Sequence, residues 1–245
     1  MVRLRLDAGP DFHWLPGQYV NVRRGDGVTR SYSLASCAEE DYFLDLHVRR
    51  HADGVMSRWL CDEVSVGAEL EVQGPNGRCH YRRDEPDRSL LLIAGGTGLG
   101  PLVAIVRDAL RHNHRGPIFL YHGARSAAGL YLDAELRGLA AQHRHFHYCG
   151  CTSEQQDPHH PHGLVSDVAL ARHPQLPGWR IFLAGSADMV HTARWQEIGK
   201  TRGRAVAGLD LVVASPVVYA SATIDVTDAV LARLKRDFDA RKPAP

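Results

Sequence analysis

The segment Leu90-Leu91-Leu92-Ile93-Ala94-Gly95-Gly96-Thr97-Gly98 constrains this chain more than any other. Its apolar run has no alternation, so a strand made of it hides both faces and needs helices on both sides. That predicts a mostly parallel sheet. Gly95-Gly96-Thr97-Gly98 then forms a turn at the carboxyl end, where such sheets bind ligands. Pro101 falls in the first turn of the following helix, where its missing amide costs nothing. The turn is neither GxGxxG nor a Walker loop. Two further strands end in small residues: Ile118–His122 at Gly123-Ala124-Arg125-Ser126, and Arg180–Ala184 at Gly185-Ser186. Gly95, Gly96, Thr97, Gly98, Pro101, Arg125, Ala184, Gly185 and Ser186 are therefore candidate nucleotide contacts. Met189 reads as helix packing.

The remaining pattern in this half alternates strand and helix. Strand Ser89–Ala94 precedes helix Leu99–His112, and strand Ile118–His122 precedes helix Tyr131–Ala141. A strand near Arg144–Cys149, helices near Val165–His173 and Met189–Thr201, and a strand at Leu211–Val218 follow. A last helix, about Val226–Ala240, carries Val226, Val230, Leu234 and Phe238 at four-residue intervals, with Asp225 as its cap. That stripe reads as docking surface against the second domain, or as a contact with a partner or a second copy.

Residues before about 80 read differently. Short strands at Gln18–Arg24, Arg30–Ala35, Phe43–Arg49 and Glu69–Gly74 are separated by turn signals such as Pro16-Gly17 and Gly25-Asp26-Gly27. Val2, Leu4 and Leu6 alternate with Arg3, Arg5 and Asp7, the rhythm of a strand and not of a signal peptide. One short helix, Ser57–Val64, is expected with Ser57 as its cap. The prediction is an antiparallel β-barrel at 1–84, then a parallel-sheet α/β domain at 85–245. The polar segment 82–88 lies at the boundary.

In the barrel half, Arg30-Ser31-Tyr32-Ser33 puts Arg30 and Tyr32 on one face and Ser31 and Ser33 on the other. A tyrosine can stack on an isoalloxazine, an arginine can neutralise a diphosphate, and a serine leaves room for hydride at the flavin N5. Gly54-Val55-Met56-Ser57 permits close approach of a ligand and leads into a helix start with free amides. Two phosphate-ready elements beside a stacking tyrosine suit FAD better than FMN.

Composition removes several alternatives. With 29 basic and 28 acidic residues, no global field argues for nucleic acid. No apolar run approaches the roughly 20 residues needed to cross a bilayer, so no membrane role is expected and a cytoplasmic protein is the default. Cys37, Cys61, Cys79, Cys149 and Cys151 match neither a disulfide framework nor an iron–sulfur spacing. Cys149-x-Cys151 ahead of His159-His160-x-His162 admits a metal site, but the composition of 153–163 reads better as a polar loop. No metal is expected.

These segments, in this order, resemble the ferredoxin–NAD(P)⁺ reductase superfamily, in particular stand-alone NAD(P)H:flavin reductases and oxygenase reductase components lacking an iron–sulfur domain. Arg30–Ser33 matches the family's Arg-x-Tyr/Phe-Ser, Gly54–Ser57 its Gly-x-x-Ser/Thr, and Gly95–Pro101 its Gly-Gly-Thr-Gly-x-x-Pro. Leu130–Leu136 and Gly163–Asp167 continue the similarity. The resemblance implies hydride transfer from NAD(P)H to FAD, with Tyr32 on the flavin, Ser33 near N5, and Val48-Arg49-Arg50 beside ribityl and phosphate. Electrons would then pass to a ferredoxin, a haem or oxygenase component, or free flavin. Three departures stand out. Ala184-Gly185-Ser186-Ala187 replaces Cys-Gly-x-Pro, and Ala214-Ser215-Pro216-Val217 replaces the closing Ala-Asp-x-Phe, with Tyr219 the candidate substitute aromatic. Met1 also lies very close to the first barrel strand. The changed closing segment and the added helix leave an alternative, a non-catalytic or redox-sensing flavoprotein subunit, with a homodimer through that helix as one arrangement.

Overall fold

The computed structural model describes residues 1–190 and 193, together with the backbone of Asp210–Ala214. The amino-terminal half is built from β1 (Val2–Leu6), β2 (Tyr19–Arg23), β3 (Thr29–Ser33), β4 (Leu44–Val48) and β5 (Glu71–Asn76). β1 pairs antiparallel with β4, and β2 lies between β3 and β5, antiparallel to both. A bridge between Leu34 and Leu46 joins the two sheets into an open barrel. Inside it pack Val20, Val22, Leu34, Leu44, Leu46, Val48, Met56 and Leu60. The alternation in β1 sends Val2, Leu4 and Leu6 toward this core and leaves Arg3 and Arg5 outward.

The short helix differs from expectation. α1 spans Val55–Arg58 with Gly54 at its N-cap, and a π-helical turn, Trp59–Glu63, continues it. Ser57 is not the cap. Its hydroxyl is buried, donating to Gly54 O at 3.1 Å and accepting from His51 N at 3.1 Å.

The second half carries β6 (Leu90–Gly95), α2 (Leu99–Arg111), β7 (Ile118–Ala124), α3 (Asp133–Gln142), β8 (Phe146–Thr152), α4 (Val165–Arg172), β9 (Arg180–Ala184) and β10 (Asp210–Ala214). The strand order is β10-β9-β6-β7-β8, all parallel. α2 and α3 cover one face and α4 the other, which is why β6 reads as a continuous apolar run. β8 runs three residues beyond the expected Cys149, because its pairing with β7 continues to Ala124↔Thr152. The expected helices at Met189–Thr201 and Val226–Ala240 fall largely or wholly outside the described residues, as do residues 215–218.

The polar segment 82–88 is fastened at both ends. Cys79 and Tyr81 pack in the core of the α/β half, and Glu85 pairs with Arg88 at 2.9 Å and with buried Arg180 at 2.7 Å. A second set of contacts ties the halves together. Arg83 bridges Glu39 at 2.8 Å and buried Asp108 at 3.1 Å, and Arg111 reaches Glu39 at 3.2 Å.

Candidate functional site

The site begins where β6 and β9 lie side by side and the chain leaves them in different directions. Order β10-β9-β6-β7-β8 makes this the topological switch point, the crevice where such sheets take ligands. Close approach there requires glycine. A Cβ on Gly98 would lie 2.3 Å from Ala184 O, and one on Gly185 would lie 3.2 Å from Gly95 Cα. Gly96 has φ +54, and among the described residues a Cβ there would meet only the Arg49 guanidinium, at 3.9 Å. The Met189 thioether caps the pair, 2.6 Å from a Gly95 Cβ position, as helix packing predicts. Ser186 is exposed, and its hydroxyl accepts from Met189 N at 3.3 Å.

Beneath the turn sits a residue that the sequence did not flag. His122 is fully buried at the end of β7, and its Nε2 lies 3.2 Å from Gly96 O. Burial pushes its pKa down to about 4, so the ring is neutral, Nε2 carries the proton and donates to Gly96 O, and Nδ1 has no partner among the described residues. Tyr131 stacks edge-on against both His122 and His47, with its hydroxyl 3.2 Å from His47 Nδ1. His47 belongs to β4, so this row crosses from the barrel to the nucleotide turn. It ends at Asp45. Burial opposes ionisation there, yet His47 and Arg3 beside it hold the carboxyl down to about 2. The only signal in the sequence was a lone histidine in an otherwise apolar strand, which more often marks packing.

On the barrel side, Arg30 is exposed and its guanidinium bonds its neighbour's carbonyl, Thr29 O, at 2.7 Å. Arg49 is exposed as well. Among the described residues neither takes a carboxylate partner, whereas Arg50 is held by Asp62 at 2.8 Å. Ser31 donates to Asn21 Oδ1 at 2.7 Å. Tyr32 is half-buried against the barrel core, and burial with Cys61 nearby raises its hydroxyl pKa to about 12, so it stays neutral. Ser33 ends β3 opposite Tyr19, partly exposed.

Several expected contacts do not present side chains. Val48 and Met56 are buried in the barrel core, so only their backbone is available to a ligand. Pro101 is buried inside α2, and Ala184 inside the sheet. Val55 is exposed, and Gly54 holds the loop against His51 and Ser57. Arg125 is exposed at the end of β7, paired with Glu154 at 3.2 Å. Tyr219 lies outside the described residues. His160 is engaged by Asp157 at 2.7 Å, and no cluster of three or more metal-ligating groups occurs among the described residues.

Comparison with known proteins matches residues 1–81 to an oxidoreductase FAD-binding domain and residues 92–194 to an oxidoreductase NAD-binding domain. The chain belongs to the ferredoxin–NAD(P)⁺ reductase superfamily. Its similarity to the reductase subunit of an aromatic O-demethylase from Amycolatopsis is 40% identity, over 77% of this chain and 58% of that protein. A probable flavin reductase of Vibrio harveyi is 29% identical over 78% of this chain and 84% of its own length. The crystal structure of an Amycolatopsis cytochrome P450 reductase superposes with TM-score 0.78 at 34% identity, covering 87% of this chain and 65% of that one. The chain thus spans less than two thirds of the length of the O-demethylase subunit.

FAD and a nicotinamide nucleotide are the cofactors of these two domains. The local geometry of this superfamily member fits both. Gly96 leaves open space that a side chain would fill, and Arg30 and Arg49 offer cations without protein anions among the described residues. No helix among the described residues is long and apolar enough to cross a membrane.

Proposed function

We propose that the protein is an NAD(P)H-dependent reductase that moves hydride from the nicotinamide to FAD and electrons onward to an iron–sulfur or haem protein. The observation that carries this reading is the approach of Arg49, from the barrel, to the open side of Gly96, from the nucleotide turn. The two loops face one crevice. Bound FAD supplies a ring that takes two electrons together and can release them singly.

The chain supplies position. Arg30 and Arg49 would hold the diphosphate, with the amides of Val55–Ser57 beside it, since the Gly54 amide is donated to His51 O at 3.2 Å. Tyr32 packs against the ring system, and Ser33 is the small hydroxyl at the reacting nitrogen. Val48 contributes backbone only. Gly95, Gly96, Thr97 and Gly98 receive the nucleotide, with Pro101 fixing the helix behind them. Ala184, Gly185 and Ser186 leave room for the nicotinamide. In this reading the division of labour follows 1–84 and 85–245. No side-chain acid or base is needed for the hydride step.

Arg125 is already paired with Glu154, and a carboxylate there would repel a 2′-phosphate and could accept from ribose hydroxyls. NADH is therefore the preferred donor. Replacing Glu154 by Gln should raise kcat/KM for NADPH relative to NADH several-fold, and an unchanged ratio contradicts the assignment.

The protein acceptor is favoured by the 40%-identical reductase subunit, and free flavin by the more distant flavin reductase. Turnover with NADH and a purified ferredoxin or haem protein, against turnover with added riboflavin, separates the two outlets. The alternative of a non-catalytic subunit rested on residues 214–217 and the last helix, which lie almost entirely outside the described residues.

A further inference from the structure

Cys149 and Cys151 take no part in the site described above. Two residues apart on β8, they share one face of the sheet, under α4, while Gly150 between them faces α3. Their sulfurs are 3.9 Å apart, and Arg172 Nη1 of α4 lies 3.2 Å from Cys149 Sγ. The titratable and charged groups acting on Cys149 are Cys151 on its own strand, Arg172 on α4 and Arg137 on α3. Tyr121 on β7 and Tyr148 on β8 interact with it as well.

The hydrogen bond between the two sulfurs, with the two arginines, holds Cys149 below the usual thiol range against the opposing effect of burial. Cys151 is raised in turn by the same bond and by burial. Of the two sulfurs, Cys149, the one beside the Arg172 guanidinium, is the one favoured to ionise. The other three cysteines lie in the opposite condition. Burial pushes Cys37 up to about 11 and Cys79 up to about 12, and raises Cys61. Cys149 is also partly exposed, on a strand at the end of the sheet order.

We propose that Cys149 and Cys151 form an oxidisable dithiol, with Cys149 the sulfur attacked by a hydroperoxide and Cys151 the resolving thiol. The Cys149 thiolate attacks one oxygen of hydrogen peroxide. A sulfur–oxygen bond forms, the oxygen–oxygen bond breaks, and hydroxide leaves to take a proton from solvent. Cys151 then attacks the Cys149 sulfur, the disulfide forms, and the sulfenic oxygen departs as water with the Cys151 proton. Two electrons pass from the thiols to one peroxide, giving one disulfide and two waters.

Closing the gap from 3.9 Å to a sulfur–sulfur bond of about 2.0 Å draws β8 in around Gly150. The strand leads at once into the turn beside Arg125: Ser153 N donates to Ala124 O, and Glu154 N and Gln155 N to Arg125 O, each at 3.0 Å.

The test uses the whole protein and a thiol readout, so it is independent of the reductase assignment. Alkylation of Cys149 by iodoacetamide, followed by peptide mass spectrometry across pH, should show a midpoint well below that of an ordinary thiol. At neutral pH it should run about tenfold faster than at any other cysteine. After hydrogen peroxide, the peptide holding both residues should lose two hydrogens and recover them with dithiothreitol. Cys151→Ser should stop at a sulfenic acid on Cys149 that dimedone captures. An ordinary thiol midpoint near about 8.5, or peroxide oxidation of Cys37, Cys61 or Cys79 while the pair keeps its hydrogens, overturns the proposal. The wild-type measurements decide it even if a variant fails to fold.

Discussion

Arg30 and Arg49 carry the strongest expectation for a single side chain. Each presents a guanidinium with no carboxylate partner among the described residues, and a diphosphate provides that partner. Arg30→Ala or Arg49→Ala should weaken FAD binding about tenfold, the worth of one charge-assisted hydrogen bond, read by flavin fluorescence titration. Retained affinity in both would move the diphosphate elsewhere. His122 acts on the other cofactor. His122→Leu leaves Gly96 O without its donor and should cost about 1–3 kcal/mol in denaturant unfolding. It should also raise KM for the nucleotide more than it lowers kcat. The histidines give a pH signature as well. Burial holds both His122 and His114 at about 4, against 6.5 for the free side chain. Between those values the unfolded chain binds protons that the folded chain does not. Stability is therefore fully present above about pH 6.5, falls as pH drops toward about 4, and levels off for these groups below it, by up to about 3 kcal/mol each. Unfolding curves from about pH 7 to about pH 4 check the slope, and a flat profile refutes the buried neutral assignment.

The elements were legible to the degree that one interaction governed them. β6, β7 and β9 are apolar on both faces and end in glycine or alanine, so the parallel sheet and its ligand edge followed directly from residues 90–98, 118–124 and 180–186. α1 was misplaced because Ser57, a good cap by type, turns its hydroxyl inward to Gly54 and His51. The carboxyl end of β8 was missed because Cys149-Gly150-Cys151-Thr152 has small residues and no strand signature. Pairing with β7 holds it, and that pairing is long-range. Val48, Met56 and Pro101 were named as cofactor contacts from motif position alone, which does not say which way a side chain faces. The glycines make the sharper prediction. Gly98→Ala drives a methyl to 2.3 Å from Ala184 O and should cost about 2–3 kcal/mol by pushing β6 and β9 apart. Gly96→Ala meets no such wall and should cost about 1 kcal/mol for its left-handed backbone, with nucleotide affinity falling further than stability. Thermal melts and NADH titrations of the pair separate packing from binding.

The joint between the two halves was invisible in the sequence, because it is made by residues far apart in the chain. Glu39 and Asp41 of the barrel meet Arg83, Arg107 and Arg111, and His47 meets Tyr131 across the same seam. Most of these ion pairs are exposed and individually weak. Arg83 is the exception, because its partner Asp108 is buried. Arg83→Ala should destabilise the protein by about 1–2 kcal/mol and lower the coupling between the FAD and nucleotide halves, seen as separated unfolding transitions of flavin release and sheet melting. A seam that fixes Arg49 over Gly96 matters only if electrons cross it. The most direct measurement is therefore an anaerobic titration of the FAD-reconstituted protein with NADH, followed by absorbance. The flavin band should bleach at one equivalent of NADH, and far less readily with NADPH. Failure to take up FAD, or a band that NADH and NADPH both leave unchanged, would contradict the account.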